Sequence, residues 1–238
     1  MDAPDLLAEL SGSSHRLADA VEGDLDRPVP TCPDWTVADL VGHLAGVQRF
    51  WTALLAGTAP QDVSLPPRPT DPELLDWFRA GADELVAALG PLDPAAAQWN
   101  WSGRDQTIGW VQRRMTHESV VHSWDGLNAV GSAEPIGTAI AVDGIDEFLD
   151  VFVGARAERM TGPVETVHVH VTDGEGEWLL TVGQGSTSLE RTHAKGDVAV
   201  RGPASDLLLA LWSRPRSDQV EVLGDASVLD RLLVAATI

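Results

Sequence analysis

The chain has 238 residues, 44% of them apolar and 22% charged, a composition that can bury a core and excludes the polar, charge-rich class of disordered chains. Its 36 acidic side chains against 16 basic ones give a formal charge of −20, a field that repels phosphate backbones and anionic membrane surfaces, so neither nucleic acid nor membrane is expected as a partner. Met1-Asp2-Ala3-Pro4-Asp5 lacks the basic start and apolar run of a signal peptide, and no stretch reaches the roughly 18 apolar residues of a membrane span, which predicts a cytoplasmic protein.

Apolar residues recur at helical spacing over residues 6–21 (Leu6, Leu7, Leu10, Leu17, Val21), with an interruption predicted over 11–14. Residues 27–34 hold three prolines and end this helix. Thr36 can then cap a second helix, with Asp39 in its first turn, running to about residue 55. A proline-rich connection over 60–72 leads to a third helix over 71–89, built on Leu74, Leu75, Phe78, Leu85 and Leu89. After a loop carrying Trp99 and Trp101, Thr107 caps a fourth helix to about residue 128, so residues 1–134 read as an antiparallel four-helix bundle.

Beyond Gly131 the pattern changes. Residues 138–160 read as a helix and 164–171 alternate as a strand before the Asp173-Gly174 turn signal. Strands follow over 178–182, 187–192 and 198–201. Pro203 opens a helix to Trp212, 219–223 is a short strand, and 226–236 a last helix. Residues 135–238 thus form an α+β unit, and two domains are expected, with the boundary between residues 130 and 137.

Cys32 is the only cysteine, which excludes an internal disulfide and a thiolate cluster, so a metal would have to be held by histidine and carboxylate. On a helical wheel His43 falls within the apolar arc of Leu40, Leu44, Val47, Phe50, Trp51, Leu54 and Leu55, and therefore points inward. The fourth helix carries Val111, Met115, Glu118, His122 and Asp125 on one stripe. A carboxylate on such a stripe costs several kcal/mol unless paired or metal-bound. Glu118 and His122, one turn apart with Cβ atoms about 5–6 Å from each other, can converge on one ion, and His43 can complete the set from the facing helix. Each residue taken singly is more often a hydrogen-bonded core group or a member of an ion pair than a ligand; it is the joint pattern that points to a transition-metal centre.

Other residues carry weaker signals. His117 lies five positions from His122, roughly 140° round the helix, so the zinc-protease spacing fails and His117 is expected at the rim or surface. His168 and His170 share a strand face and could chelate, though an exposed face is the simpler expectation. Asp125 can orient a ligand histidine. Arg201 and Arg214, rare cations in this chain, are candidates for holding an anionic substrate. Cys32 reads as structural, and the tryptophans as packing residues, Trp35 as a hydrophobic staple before Thr36.

The run Cys32-Pro33-Asp34-Trp35-Thr36-Val37-Ala38-Asp39-Leu40-Val41-Gly42-His43-Leu44-Ala45-Gly46 resembles the N-terminal signature of the mycothiol-dependent maleylpyruvate isomerase family, and His117-Glu118-Ser119-Val120-Val121-His122-Ser123-Trp124-Asp125 resembles its second signature. That resemblance implies a DinB-like four-helix metalloprotein with His43, Glu118 and His122 as ligands. It also implies a C-terminal α+β domain similar to a sterol-carrier fold, with a segment like Val200-Arg201-Gly202-Pro203-Ala204-Ser205-Asp206-Leu207. Ser123 stands where many members carry Arg. A high-GC actinobacterial source, or a halophilic one, would also produce an acidic chain in which Lys195 is the only lysine.

Three His and carboxylate ligands suit catalytic zinc with one position left open, while nickel, cobalt and iron accept the same donors. The resemblance implies that the metal binds the thiol of mycothiol and lowers its pKa, so that a borrowed thiolate attacks an electrophilic small molecule. Addition to an activated alkene, rotation and elimination would make an isomerase; attack without elimination, an S-transferase. The competing readings are a metal-dependent hydrolase and a non-enzymatic binding or carrier protein with a structural metal.

Overall fold

The computed structural model describes residues 3–236, with side chains from Leu6 onward. The chain forms two compact units that part between Glu134 and Pro135. In the first, α1 (Ala3–Ala20) and α2 (Val37–Leu55) each pack against both α3 (Asp71–Leu89) and α4 (Ile108–Ala129), closing a ring of four helices. Leu10, Leu17, Leu40, Leu44, Phe78, Leu85 and Val111 are fully buried inside it.

The expected interruption of α1 at residues 11–14 is not there. Ser14 Oγ donates to the Leu10 carbonyl at 2.9 Å and accepts from Gln48 Nε2 at 3.1 Å, so the buried hydroxyl serves the helix and its neighbour instead of breaking the helix. α2 begins as the sequence predicts. Thr36 Oγ1 accepts from the Asp39 amide at 3.2 Å, and Asp39 Oδ2 accepts from the Thr36 amide at 3.0 Å, a reciprocal capping box. The proline-bearing loop before it folds back on itself: the Val29 amide donates to the Trp35 carbonyl at 2.9 Å, and Asp34 turns the chain at φ 68°.

α4 is buried on more than one side, because α1 and α2 both pack against it. Gly126 permits this approach, since a Cβ there would lie 2.2 Å from Leu17 Cδ1 and 3.3 Å from Leu40 Cδ2. Positions far apart on the α4 wheel are consequently all interior. This corrects the expectation for His117, which is only 1% exposed and belongs to the interior rather than to the rim.

In the second unit, the single helix expected over 138–160 is divided. α5 (Thr138–Glu147) widens into a π-helical turn over Phe148–Phe152, where the two phenylalanine rings stack with centroids 6.2 Å apart, and then closes in the short α6 (Val153–Ala155). Five strands follow: β1 (Glu165–Val171), β2 (Glu177–Gly183), β3 (Ser186–Glu190), β4 (Val198–Gly202) and β5 (Glu221–Gly224). α7 (Ala204–Leu211) separates the last two, and α8 (Ala226–Ala236) ends the unit. The strand order is β3-β2-β1-β4-β5, with β1 and β4 parallel and every other pair antiparallel. Val167 and Val169 lie opposite Leu180 and Trp178, and these four, all buried, make one apolar face. α8 packs on β1 and β4, and α7 on β4.

Replacing Thr36 by Ala removes both the acceptor for the Asp39 amide and the hydroxyl that bonds Asp39 Oδ2. Urea denaturation should show a loss of about 1 kcal/mol.

Candidate metal centre

His43 projects from the middle of α2, and Glu118 and His122 from successive turns of α4. His43 Nε2 lies 3.2 Å from Glu118 Oε1, and His122 Nε2 lies 3.5 Å from the same oxygen. One donor atom from each residue falls within 4.8 Å of the others. A tetrahedral ion with ligands at 2.0–2.1 Å sets its donors about 3.3–3.4 Å apart, so these separations suit one small cation.

Each candidate ligand is held from behind. Arg114, one turn before Glu118 and 3% exposed, places Nη2 3.0 Å from Glu118 Oε2, so one carboxylate oxygen is taken by the guanidinium while the other faces the imidazoles. Asp125, fully buried, accepts from His122 Nδ1 at 2.9 Å; because a carboxylate only accepts, the proton sits on Nδ1 and the Nε2 lone pair of the neutral ring is left for a metal. Asp125 is fixed in turn by Thr31 Oγ1 at 2.6 Å and faces Cys32 Sγ at 3.8 Å, both from the loop before α2. Trp35, on the same loop, stands 5.0 Å from the His43 ring and 6.4 Å from that of His122. It is a wall of the site as well as a core residue.

Burial pushes the Glu118 carboxyl up, but hydrogen bonds from His122 and His43 and the charges of His122 and Arg114 outweigh it and hold the group well below the ordinary range. Burial likewise disfavours a charged His122, yet Asp125, Cys32 and Glu118 together raise its pKa well above the usual value. Both shifts favour the charged forms, a carboxylate beside an imidazolium.

The family profile described as the Mycothiol maleylpyruvate isomerase N-terminal domain matches residues 5–125, just over half of the chain, and the MDMPI C-terminal domain profile matches residues 139–231. The chain belongs to the mycothiol maleylpyruvate isomerase family. A crystal structure of the mycothiol-dependent maleylpyruvate isomerase superposes with a TM-score of 0.61 at 12% identity, over 93% of each chain. A histidine-to-alanine mutant of that enzyme gives 0.60, again at 12% identity and 93% of each chain. A UbiJ-SCP2 ubiquinone synthesis protein covers 43% of this chain and 93% of its own at 21% identity, with a TM-score of 0.29 that supports no inference about the second unit. No curated protein matches the chain in sequence.

The isomerase-family fold thus brings His43, Glu118 and His122 together with Asp125 behind them, whereas Arg201 and Arg214 lie in the other unit. Arg201 is exposed on β4 with Nε 3.5 Å from Glu221, and Arg214 Nη1 donates to the Trp212 carbonyl at 2.7 Å. Sequence reasoning missed Arg114, Thr31 and the place of Trp35. For Arg114 a signal existed, since it lies four residues before Glu118 on the ligand stripe.

In metal-free protein the depressed Glu118 contributes stability that is present above about pH 4.5 and lost as pH falls through its folded value. The raised His122 contributes stability that is complete below about pH 6.5 and lost as pH rises through its folded value. Urea midpoints of the metal-free protein should accordingly be highest between these limits and fall on both sides. Substituting Glu118→Gln should flatten the acid limb.

Proposed function

We propose that this protein is a metal-dependent, thiol-using enzyme of small-molecule electrophiles, an isomerase or S-transferase with mycothiol as its thiol and zinc as the first candidate metal. The observation that carries the reading is the convergence of the His43, Glu118 and His122 donors, with His122 Nδ1 already committed to buried Asp125. Three protein donors leave room at a tetrahedral ion for an exogenous ligand, as catalytic centres require. Membership of the mycothiol maleylpyruvate isomerase family supports the choice of thiol. The chain's single cysteine faces Asp125, so a nucleophilic sulfur supplied by a co-substrate accords with the site.

A metal held by His43, Glu118 and His122 would supply the positive charge that keeps a thiol ionised at neutral pH. The protein's own groups do the rest. Arg114 fixes the carboxylate plane through Oε2, Asp125 sets the His122 tautomer, and the Trp35 ring shields the flank of both imidazoles from water. No helix among the described residues is long and apolar enough to cross a membrane.

Protein purified without chelators or affinity metals should contain about one zinc-class ion at this centre and should consume or isomerise an electrophile such as maleylpyruvate only when mycothiol is added. His43→Ala should abolish both the bound ion and turnover; turnover retained without metal, or cleavage of esters or amides without thiol, overturns the proposal. Asp125→Asn should keep the three ligands yet weaken metal affinity roughly 10- to 100-fold, read by competition with a chelator.

A further inference from the structure

The sheet face opposite the apolar one holds a second group of donors. His168 and His170 are two apart on β1, and Glu177 lies directly opposite His170 on β2. The strand order obliges the connection from β3 to β4 to pass β2 and β1, and this connection, residues 191–197, carries His193. The expectation that His168 and His170 lie on an exposed face is thereby corrected: His168 is 7% exposed and His170 half-buried.

His168 Nε2 and His193 Nδ1 lie 3.2 and 2.5 Å from Glu177 Oε2, and His170 Nδ1 lies 2.9 Å from Oε1. One donor from each of the four falls within 4.8 Å of the rest. Three of the chain's seven histidines therefore surround one carboxylate, a set of imidazole and carboxylate donors of the kind that suits a divalent transition metal. Arg201, the neighbour of His170 in register on β4, is paired with Glu221.

The segment is also held in place. Arg191 grips Asp146 with Nε at 2.6 Å and Nη2 at 2.9 Å, and Asp197 accepts from the Thr166 amide and hydroxyl, both at 2.8 Å. Gly196 allows the chain to lie against β1, since a Cβ would come 3.0 Å from the His168 amide nitrogen. His193, between these two anchors, is 79% exposed in its side chain and meets the sheet through Glu177 and the His168 ring, 5.3 Å away. Fixing both ends of a short segment lowers the entropy cost of bringing its histidine to an ion.

We infer that His168, His170, Glu177 and His193 form a second divalent transition-metal site of the zinc class, independent of the centre on α2 and α4. Four protein donors complete a tetrahedron, so this site is closed and structural, clamping the β3–β4 connection onto the sheet.

Metal content and cobalt(II) titration separate the two sites. The wild-type protein, freed of metal and reloaded, should take up two equivalents. The His43→Ala/His122→Ala protein should take up one, with the intense visible absorption of four-coordinate cobalt, and zinc should raise its melting temperature. His193→Ala, a change at an exposed position that circular dichroism should show to be folded, should reduce the wild type to one tight equivalent and weaken binding at the second site at least tenfold. One equivalent in the wild type that His43→Ala/His122→Ala removes, or a second equivalent indifferent to both His193→Ala and His168→Gln, overturns the inference while leaving the α2–α4 centre untouched. Loss of only the second equivalent in His193→Ala confirms it.

Discussion

The first unit is organised around one carboxylate. Glu118 sits in a helical interior where an unpaired charge would cost several kcal/mol, and the surrounding chain divides its two oxygens between a guanidinium and a pair of imidazoles. Each partner has its own reason to be where it is: Arg114 because it shares the α4 stripe, His43 because the capping box fixes the start of α2, and His122 because Asp125 holds its far nitrogen. Removing any one would leave Glu118 without part of its charge balance, so these groups are coupled through the one carboxylate rather than a sum of independent pairs.

Much of this was legible in the chain itself. Thr36 with Asp39, and Thr107 before a long periodic run, announce helix starts through capping chemistry that acts over three residues and needs no tertiary context. The spacing of Glu118, His122 and Asp125 places them on one face for the same local reason. What stayed hidden depends on partners distant in sequence. Ser13 and Ser14 look like helix breakers until the groups that accept from and donate to their hydroxyls are known. A single-stripe reading of α4 puts His117 outside, whereas a helix packed by several neighbours has no outside at that position. Arg114 passes unmarked because long basic side chains usually face solvent; only the carboxylate one turn later hints otherwise.

His193 shows the limit most plainly. It belongs to no strand and no periodic stretch, and no spacing rule connects it to His168 or Glu177. Sheet order creates the contact: an edge strand paired to β2 must deliver the chain to β4 on the far side of β1, and the crossing segment lies over whatever that face carries. Local patterns found the strands, but the sequence of strands across the sheet is a global property.

The separation of the clustered α2 and α4 residues along the chain has a consequence for folding. His43 and Glu118 are 75 positions apart, and Thr31 and Asp125 are 94 apart. Closing a loop of that size in a flexible polymer carries an entropy cost on the order of 4 kcal/mol before any local ordering, so these contacts gather only once three helices and two connections have been arranged. An ion bound across them, as proposed, would act as a removable cross-link: it would favour the closed chain over the open ensemble by its own binding free energy, and stripping it would return that long arc of polypeptide to the cost of closing itself.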